Sequence, residues 1–183
     1  MILGLTGTIG SGKSEIVKYL KSKGFEHFVY SDILKEMARL RGMEITRENL
    51  QKLGTEIKEK SNNLGILSQK LLSKIKTDKA VVDGIRNVDE IRELRKRKDV
   101  YIIGFNAPQR ERYERLRKRN RDGDPKTFEE FKRLDNLENR GKTKGQEINK
   151  CLKMADFLII NNGSLEQLKN NVDKILQTIS SKT

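Results

Sequence analysis

The residues with the clearest chemistry lie near the start of the chain and form a glycine-rich run that ends in a lysine and a serine. The run is Gly7-Thr8-Ile9-Gly10-Ser11-Gly12-Lys13-Ser14, and it fits the pattern G-x-x-x-x-G-K-[ST] at every position. Glycines let the backbone approach phosphate closely, so that successive N–H groups bind its oxygens at a helix N-terminus. Lys13 adds a cation for the β- and γ-phosphates, and the Ser14 hydroxyl is a ligand for Mg²⁺. We therefore predict that residues 7–14, the phosphate loop, bind ATP with Mg²⁺.

A second charged group follows the apolar run Ala80-Val81-Val82. In an open parallel sheet, ligands bind beyond the carboxyl ends of the strands, where Asp83, Gly84 and Arg86 would then lie. An acid at this point holds the hydration shell of Mg²⁺, and an arginine three residues later forks onto a phosphate. The alternative is a surface turn whose charges are solvated.

The residues after the apolar run 27–30 offer a third group. Asp32, Lys35 and Arg39 are spaced i, i+3 and i+7, which places them on roughly one face of a helix. We expect this face to border the same cleft from the side opposite Arg86. A capping aspartate that pairs with Lys35 is the simpler alternative.

Arginines are concentrated between residues 110 and 121. Arg112, Arg115 and Arg119 share one helical face, so a helix would direct three guanidinium groups at one point. Like charges so close repel by a few tenths of a kcal/mol per pair unless an anion neutralises them. A polyphosphate is such an anion. A basic strip for nucleic acid, or a solvated face balanced by glutamates, remains the alternative.

The polar run that ends the last apolar segment is Asn161-Asn162-Gly163-Ser164. In a parallel α/β sheet this loop lies beside the phosphate loop, and we expect Asn162 and Gly163 to border the bound nucleotide. Cys151 lies in an apolar helical pattern, which favours packing over catalysis. We assign no role to His27.

Apolar runs typical of β-strands alternate along the chain with longer stretches of helical periodicity. The runs lie at 1–6, 27–30, 80–82, 100–105 and 157–160. The helical stretches lie at 12–23, 32–41, 47–60, 64–76, 87–98, 108–121, 127–140, 145–154 and 164–180. This alternation favours an α/β fold in three layers, with a five-stranded parallel sheet between helices on both faces. Helix caps are expected at Ser31 or Asp32, at Thr46 with Asn49, and at Asn87 with Glu90.

Composition limits the remaining possibilities. A chain of 183 residues buries enough surface to fold as one α/β domain without disulfides, and it has a single cysteine. It contains 39 Lys and Arg against 26 Asp and Glu, a net charge of +13, which indicates an anionic partner or a lysine-rich, ion-paired surface of the thermophile type. With no long apolar run and no signal peptide, we expect a cytoplasmic protein without a membrane segment.

Four stretches of the chain resemble the P-loop nucleotide kinases, especially archaeal adenylate-kinase-related proteins and, at the carboxyl end, dephospho-coenzyme A kinase. The stretches are the phosphate loop, Asp83-Gly84-Ile85-Arg86, Ser31-Asp32-Ile33-Leu34-Lys35 and Glu114-Arg115-Leu116-Arg117-Lys118-Arg119. The end from Ala155 to Glu166 is similar to that of dephospho-coenzyme A kinases. The resemblance implies a three-layer P-loop NTPase fold with a core at 1–31, 79–106 and 155–183. It further implies a helical acceptor-binding insertion at about 32–78 and a helical lid at about 107–154.

The resemblance also implies roles for individual residues. Asp83 would organise Mg²⁺, and Arg86 would grip an acceptor monophosphate, with Lys35 where the family has an acceptor-binding arginine. Arg115 and Arg119 correspond to lid arginines. The chain also departs from the family. The glutamine that reads adenine has no clear match after Arg86, and the extended β lid and the zinc-binding cysteines are missing. Arg47 or Gln51 would read the acceptor instead.

The sequence thus predicts an ATP-dependent nucleoside monophosphate kinase with AMP as the first acceptor. Asp32 would orient Lys35 or the metal for a phosphate acceptor, and would become a candidate general base for a hydroxyl acceptor such as dephospho-coenzyme A. The other open class is a P-loop ATPase that binds nucleic acid through the basic segment 106–121. A GTPase is disfavoured, because no Asn-Lys-x-Asp motif is present.

Overall fold

The computed structural model of the chain describes residues 1–61, 63, 65–121, 123–139 and 147–181, with the backbone alone at Arg47. Five parallel strands form one sheet in the order β2-β3-β1-β4-β5 within these residues. Their bounds are β1 (Ile2–Gly7), β2 (Glu26–Val29), β3 (Ala80–Ile85), β4 (Val100–Asn106) and β5 (Phe157–Ile160). Each strand overlaps an apolar run from the sequence analysis, so the predicted parallel sheet is confirmed.

Helices connect the strands and lie on both sides of the sheet. Their bounds are α1 (Lys13–Ser22), α2 (Tyr30–Leu40), α3 (Arg47–Ser61), α4 (Ile66–Lys74), α5 (Val88–Leu94), α6 (Gln109–Arg119), α7 (Phe128–Asn139), α8 (Ile148–Lys153) and α9 (Leu165–Ser180). The predicted start of α8 at 145 falls outside the described residues. None of the described helices is long and apolar enough to cross a membrane.

The side chains of each strand alternate between the two faces of the sheet, and helices cover both faces to form three layers. Leu3 and Leu5 of β1 pack with residues of α1 and α9 in one apolar cluster. Ile2, on the opposite face, belongs to a second cluster that includes residues of α2 to α5 and α8. Because successive side chains of a strand point to opposite faces, a strand buried on both sides reads as a continuous apolar run.

The predicted cap at Thr46 is confirmed, and Asn87 also caps its helix. The predicted pairing of Asn87 with Glu90 is wrong, because the Glu90 carboxylate accepts from the Arg86 N–H at 3.0 Å. The Thr46 hydroxyl accepts a hydrogen bond from the Asn49 N–H at 3.1 Å, and the Asn87 side chain accepts one from the Asp89 N–H at 2.7 Å. The cap at Ser31 or Asp32 is wrong, because α2 already begins at Tyr30. Tyr30 is buried, and its hydroxyl lies 2.7 Å from that of Ser68, so tertiary packing fixes the helix start.

Candidate functional site

A cavity of about 1680 Å³ opens at the carboxyl end of the sheet. Its walls come from the phosphate loop, α2, α3, the end of β3, α6 and α8. Most of the predicted site residues line it: Gly7, Ile9, Gly10, Ser11, Gly12, Lys13, Ser14, Lys35, Gln51, Asp83, Gly84, Arg86, Arg115 and Arg119. The side chain of Arg47 lies outside the described residues.

The phosphate loop has the conformation that its glycines allow. Gly10 and Gly12 have φ angles of 75° and 101°, which residues with a side chain rarely adopt. A Cβ atom at Gly12 would lie 2.5 Å from the Asn161 amide nitrogen, so the space is closed as well. Thr8 does not line the cavity. Its hydroxyl donates to the Asn106 side chain at 3.0 Å and ties the loop to the end of β4.

The Lys13 ammonium lies inside the phosphate loop. Its Nζ donates to the carbonyl oxygens of Gly7 and Thr8 at 2.7 and 2.9 Å. Burial lowers the pKa of Lys13 to about 8, although the nearby Asp83 carboxylate raises it. Desolvation weakens the charged form of an isolated lysine, and an anionic ligand stabilises it. The site is therefore built to receive negative charge beside Lys13.

Asp83 has the position expected of a metal-binding carboxylate. It lies within β3 rather than beyond it, because the strand extends to Ile85. Its Oδ1 is buried and has no hydrogen-bond partner among the described residues. No cluster of three or more His, Cys, Asp or Glu side chains that could hold a metal ion occurs in the described part. Mg²⁺ is commonly held by one or two protein oxygens together with phosphate and water, so Asp83 and Ser14 fit it.

Arg86 is the first residue after β3, and its side chain is exposed. No carboxylate among the described residues forms an ion pair with its guanidinium. The backbone on either side is well fixed, since the Arg86 N–H donates to Glu90 at 3.0 Å and the Arg86 carbonyl accepts from the Glu147 N–H at 2.7 Å. Arg86 thus places a guanidinium without a described carboxylate partner at the cavity wall, on a backbone held by two hydrogen bonds.

The α2 side of the cavity differs from the prediction. Lys35 lines the cavity, whereas Asp32 and Arg39 do not. Tyr30 and Ile33 are buried on the sheet side, and this turns Asp32 toward solvent, where 64% of its side chain is exposed. Asp32 pairs with Lys35 at 2.8 Å. The prediction that Asp32 and Arg39 border the cavity is therefore wrong.

The three arginines predicted to converge from α6 separate in the structure. Arg112 is buried and pairs with Asp135 of α7. Arg119 forms two hydrogen bonds with the Asp124 carboxylate, at 2.7 and 2.6 Å, which together with the Arg121 N–H lower the pKa of Asp124. Convergence of all three is wrong because Arg112 has an acidic partner from a distant helix. Arg115 and Arg119 still line the cavity.

The loop after β5 reaches the phosphate loop through Asn161, which the sequence analysis did not select. Its side-chain amide donates to the Ser11 carbonyl at 2.9 Å, and its own carbonyl accepts from Arg115 at 2.9 Å. Asn162 and Gly163 are exposed and line a separate cleft of about 380 Å³, so their placement in the main cavity is wrong. The sequence feature that could have identified Asn161 is its position directly after the strand run 157–160.

The remaining candidates behave as packing residues. Cys151 is buried in the apolar cluster, and burial raises the pKa of its thiol to about 12, which disfavours the nucleophilic thiolate. The cysteine prediction is thus confirmed as to burial. Burial also lowers the pKa of His27, which lies in β2.

Comparison with known proteins agrees with this architecture. Residues 3–155 match the AAA domain family. A UPF0200 protein of Thermococcus kodakarensis is 34% identical over 195 residues, with all of both chains covered. A UPF0200 protein of Methanocaldococcus jannaschii is 30% identical, covering 98% of this chain and 90% of its own.

Solved structures show a similar fold. Shikimate kinase from Acinetobacter baumannii, in complex with shikimate, has a TM-score of 0.63 at 16% identity and covers 100% of this chain and 94% of its own. Shikimate kinase from Aquifex aeolicus has a TM-score of 0.52 at 17% identity and covers 100% and 98%. The fold is therefore a three-layer P-loop NTPase fold, similar to that of these shikimate kinases.

Proposed function

The chain belongs to the UPF0200 family and has an AAA domain, and we propose that it is an ATP-dependent nucleoside monophosphate kinase with AMP as acceptor. One observation carries the proposal. The guanidinium of Arg86 has no carboxylate partner among the described residues, and it lines the same cavity as the phosphate loop. Arg86 lies at the end of β3, and the phosphate loop lies at the end of β1. A donor triphosphate and an anionic acceptor can therefore lie together between them. Arginine suits such a task, because its planar fork matches two phosphate oxygens.

The position of Asp32 favours a phosphate acceptor over a hydroxyl acceptor. Transfer to a hydroxyl calls for a base within hydrogen-bond reach of that group, whereas a phosphate oxygen needs none. The Asp32 carboxylate is exposed, pairs with Lys35 and does not line the cavity. The candidate base for a hydroxyl kinase is thus turned away from the site.

The wall formed by α2 and α3 suits an acceptor base. It combines the apolar side chains of Leu34 and Leu50 with the amide of Gln51. Gly54 lines the same wall, and Leu34 lies 3.5 Å from the position that a Cβ would occupy there. Gln51 can both donate to and accept from the edge of a purine.

Catalysis would consist of positioning and charge stabilisation. The phosphate-loop amides and Lys13 would hold the donor, Arg86 and Lys35 the acceptor phosphate, and Arg115 with Arg119 the charge on the transferring group. Mg²⁺, held by Ser14 and Asp83, would neutralise part of the phosphate charge. Release of Arg119 from Asp124 would make its guanidinium available to that group.

Product analysis with a panel of acceptors tests the proposal. The purified chain is incubated with ATP, Mg²⁺ and one of AMP, GMP, CMP, UMP, shikimate, dephospho-coenzyme A or RNA. We expect AMP to accelerate ATP consumption with two ADP formed per ATP. Lys13→Met should lower the rate about 100-fold or more, whereas Lys18→Met, on the exposed side of α1, should not. Stimulation by RNA without a phosphorylated acceptor would instead establish the nucleic-acid-associated ATPase.

A further inference from the structure

Arg112 and Asp135 form a buried ion pair that joins α6 to α7. The guanidinium Nη1 and Nη2 lie 2.5 and 2.7 Å from the two carboxylate oxygens. Gln109 donates to the same carboxylate at 2.9 Å. Burial alone would raise the pKa of Asp135, but the hydrogen bonds from Arg112 and Gln109 hold it below its ordinary value. The pair is therefore ionised and fixed in one geometry.

The other donors of Arg112 reach two backbone carbonyls. Nε donates to the Ala107 carbonyl at 2.9 Å, and Nη1 donates to the Ile9 carbonyl at 3.1 Å. Ile9 belongs to the phosphate loop and lies 103 residues away in sequence. Contact continues at the next residue, since a Cβ at Gly10 would lie 2.7 Å from the Arg112 carbonyl oxygen. The loop thus rests directly on α6.

The bond to Ile9 fixes the direction of the following N–H group. The described chain has no cis peptide bonds, so the Ile9 carbonyl and the Gly10 N–H belong to one planar trans unit and point in opposite directions. Because the carbonyl points to α6, the N–H points away from α6. Gly10 itself lines the cavity in which a triphosphate would lie.

We propose that Arg112 is a positioning residue for ATP, which turns the Gly10 N–H toward the bound phosphates, and that Asp135 holds Arg112 in place for this purpose. The guanidinium makes no contact with the ligand. It acts through the Ile9–Gly10 peptide, so that this amide is already oriented before the nucleotide binds. Preorganised donors of this kind bind more tightly than donors that must first be ordered.

Stability alone is a weak reason for such a pair. Replacing a buried ion pair with apolar residues of similar volume is often neutral or stabilising, whereas removing one partner is strongly destabilising. This difference separates the structural role from the positioning role. The double variant Arg112→Met with Asp135→Leu should keep the fold. It removes the hydrogen bond to the Ile9 carbonyl, and with it the bond to the Ala107 carbonyl within the same loop-to-helix turn and the bond from Gln109 to Asp135.

The test is calorimetric titration of ATP and, separately, of AMP into the unaltered chain and into this double variant, with thermal unfolding of each. We expect ATP affinity to fall about 10- to 100-fold, the effect of one hydrogen bond to a charged group. The unfolding midpoint and the AMP affinity should be unchanged. The matched control is Arg117→Met with Glu114→Leu, which removes the ion pairs of Glu114 with Arg117 and Arg110 on the same helix. It should leave ATP affinity unchanged, because Glu114 lies outside the cavity wall.

A conservative change supplies the second measurement. Arg112→Lys keeps the charge but has one point of contact in place of the fork, so it cannot reach Asp135 and both carbonyls together. We expect an ATP affinity between those of the unaltered chain and the double variant. Equal ATP affinity in the unaltered chain and the stably folded double variant would overturn the positioning role.

The inference rests on ATP binding by the phosphate loop, which is one part of the proposed function. Its failure remains distinguishable from failure of that function, because the titrations involve no phosphoryl transfer. ATP binding that responds to Arg112 in a chain that phosphorylates no acceptor would support the positioning role alone. No ATP binding by the unaltered chain would overturn both.

Discussion

Lys13 is half-buried at the cavity wall, where its positive charge is less well hydrated than on an open surface. Burial lowers its pKa to about 8, against the opposing effect of Asp83. The free protein therefore loses this charge as the pH rises through about 8, whereas a bound triphosphate favours the protonated amine. We expect ATP affinity to fall above about pH 8 and ATP binding at about pH 9 to take up a proton.

Calorimetry in buffers of different ionisation enthalpy measures that proton uptake directly. Lys13→Arg is the matched control, because a guanidinium stays protonated throughout this range and should abolish the uptake. Constant ATP affinity between about pH 7 and 10 in the unaltered chain would contradict the assignment of Lys13.

Unlike Arg92, Arg115 and Arg119 of the cavity, Arg86 has no carboxylate partner among the described residues. We expect Arg86→Ala to weaken AMP binding by roughly 2–4 kcal/mol, taking the loss of a desolvated charge pair as the guide, and to leave ATP affinity within a few-fold. Arg86→Lys should not restore it, since lysine lacks the fork. Separate titrations of the two nucleotides measure both effects.

Arg39→Ala is the control for Arg86, because Arg39 is exposed and lies outside the cavity wall. It should leave both affinities unchanged. Equal losses for ATP and AMP in Arg86→Ala, or none for AMP, would remove Arg86 from the acceptor site and with it the main support for a monophosphate kinase.

Single residues were predictable where one motif fixes both type and spacing. The phosphate loop met this condition, and so did Asp83 and Arg86, which follow a recognisable strand run. Arg112 did not, because its partner Asp135 lies 23 residues away and periodicity contains no information on such pairs. The prediction that Asp32 borders the cavity was wrong for a similar reason, since the burial of Tyr30 set the rotation of α2.

The elements themselves were largely readable from sequence. Strands buried on both faces appear as continuous apolar runs, and the helices between them show the 3.6-residue period. The start of α2 was the exception, because the Tyr30 side chain packs against Ser68 and overrides the capping preference of Ser31. Local patterns thus determined the order of the elements, while contacts distant in sequence set their ends and rotation.

The arginines on the two sides of helix α6 have different surroundings. Arg115 and Arg119 line the cavity, whereas Arg110 and Arg117 both pair with Glu114 outside it. We expect Arg115→Ala with Arg119→Ala to lower kcat about 100-fold or more and to affect ATP affinity far less, because charge on the transferring group develops mainly in the transition state. Steady-state kinetics combined with ATP titration distinguishes the two effects.

Arg110→Ala with Arg117→Ala changes the same helix on its other side and is the matched control. Under the kinase proposal this variant keeps its kcat. The nucleic-acid alternative predicts instead that these substitutions weaken RNA binding and reduce its salt dependence. Preserved kcat in the Arg115 and Arg119 variant would count against their role in transfer.

The charge of the whole molecule has a local explanation in the described part. The chain carries a net charge of +13, and many of its exposed cations pair with neighbouring acids, as in Lys52 with Glu48 and Arg97 with Asp99. Such pairs contribute little individually and favour solubility. Around the cavity, by contrast, Lys13 and Arg86 have no carboxylate partner in the described chain. Part of the excess charge therefore lies where an anionic ligand would bind.

The size of the cavity leads to a prediction about how the molecule would respond to the two proposed substrates. At about 1680 Å³ it exceeds the roughly 300–1,000 Å³ of typical ligand sites, and water must be excluded before transfer. Arg112 ties α6 and α7 to the phosphate loop, so we expect the opposite wall, α2 and α3, to move inward. Amide hydrogen exchange in residues 47–59 should therefore slow more with AMP and a non-hydrolysable ATP analogue together than with either alone.

Helix α9 is the internal reference for that measurement, because it packs on the other face of the sheet and lines no part of the cavity. Its exchange should respond equally to one ligand and to both. Slower amide exchange confined to the phosphate loop in the presence of both ligands would contradict inward movement of α2 and α3. Slower exchange across α3 that requires both ligands would instead show that the acceptor side closes only when donor and acceptor are in place, which is how a kinase limits transfer of phosphate to water.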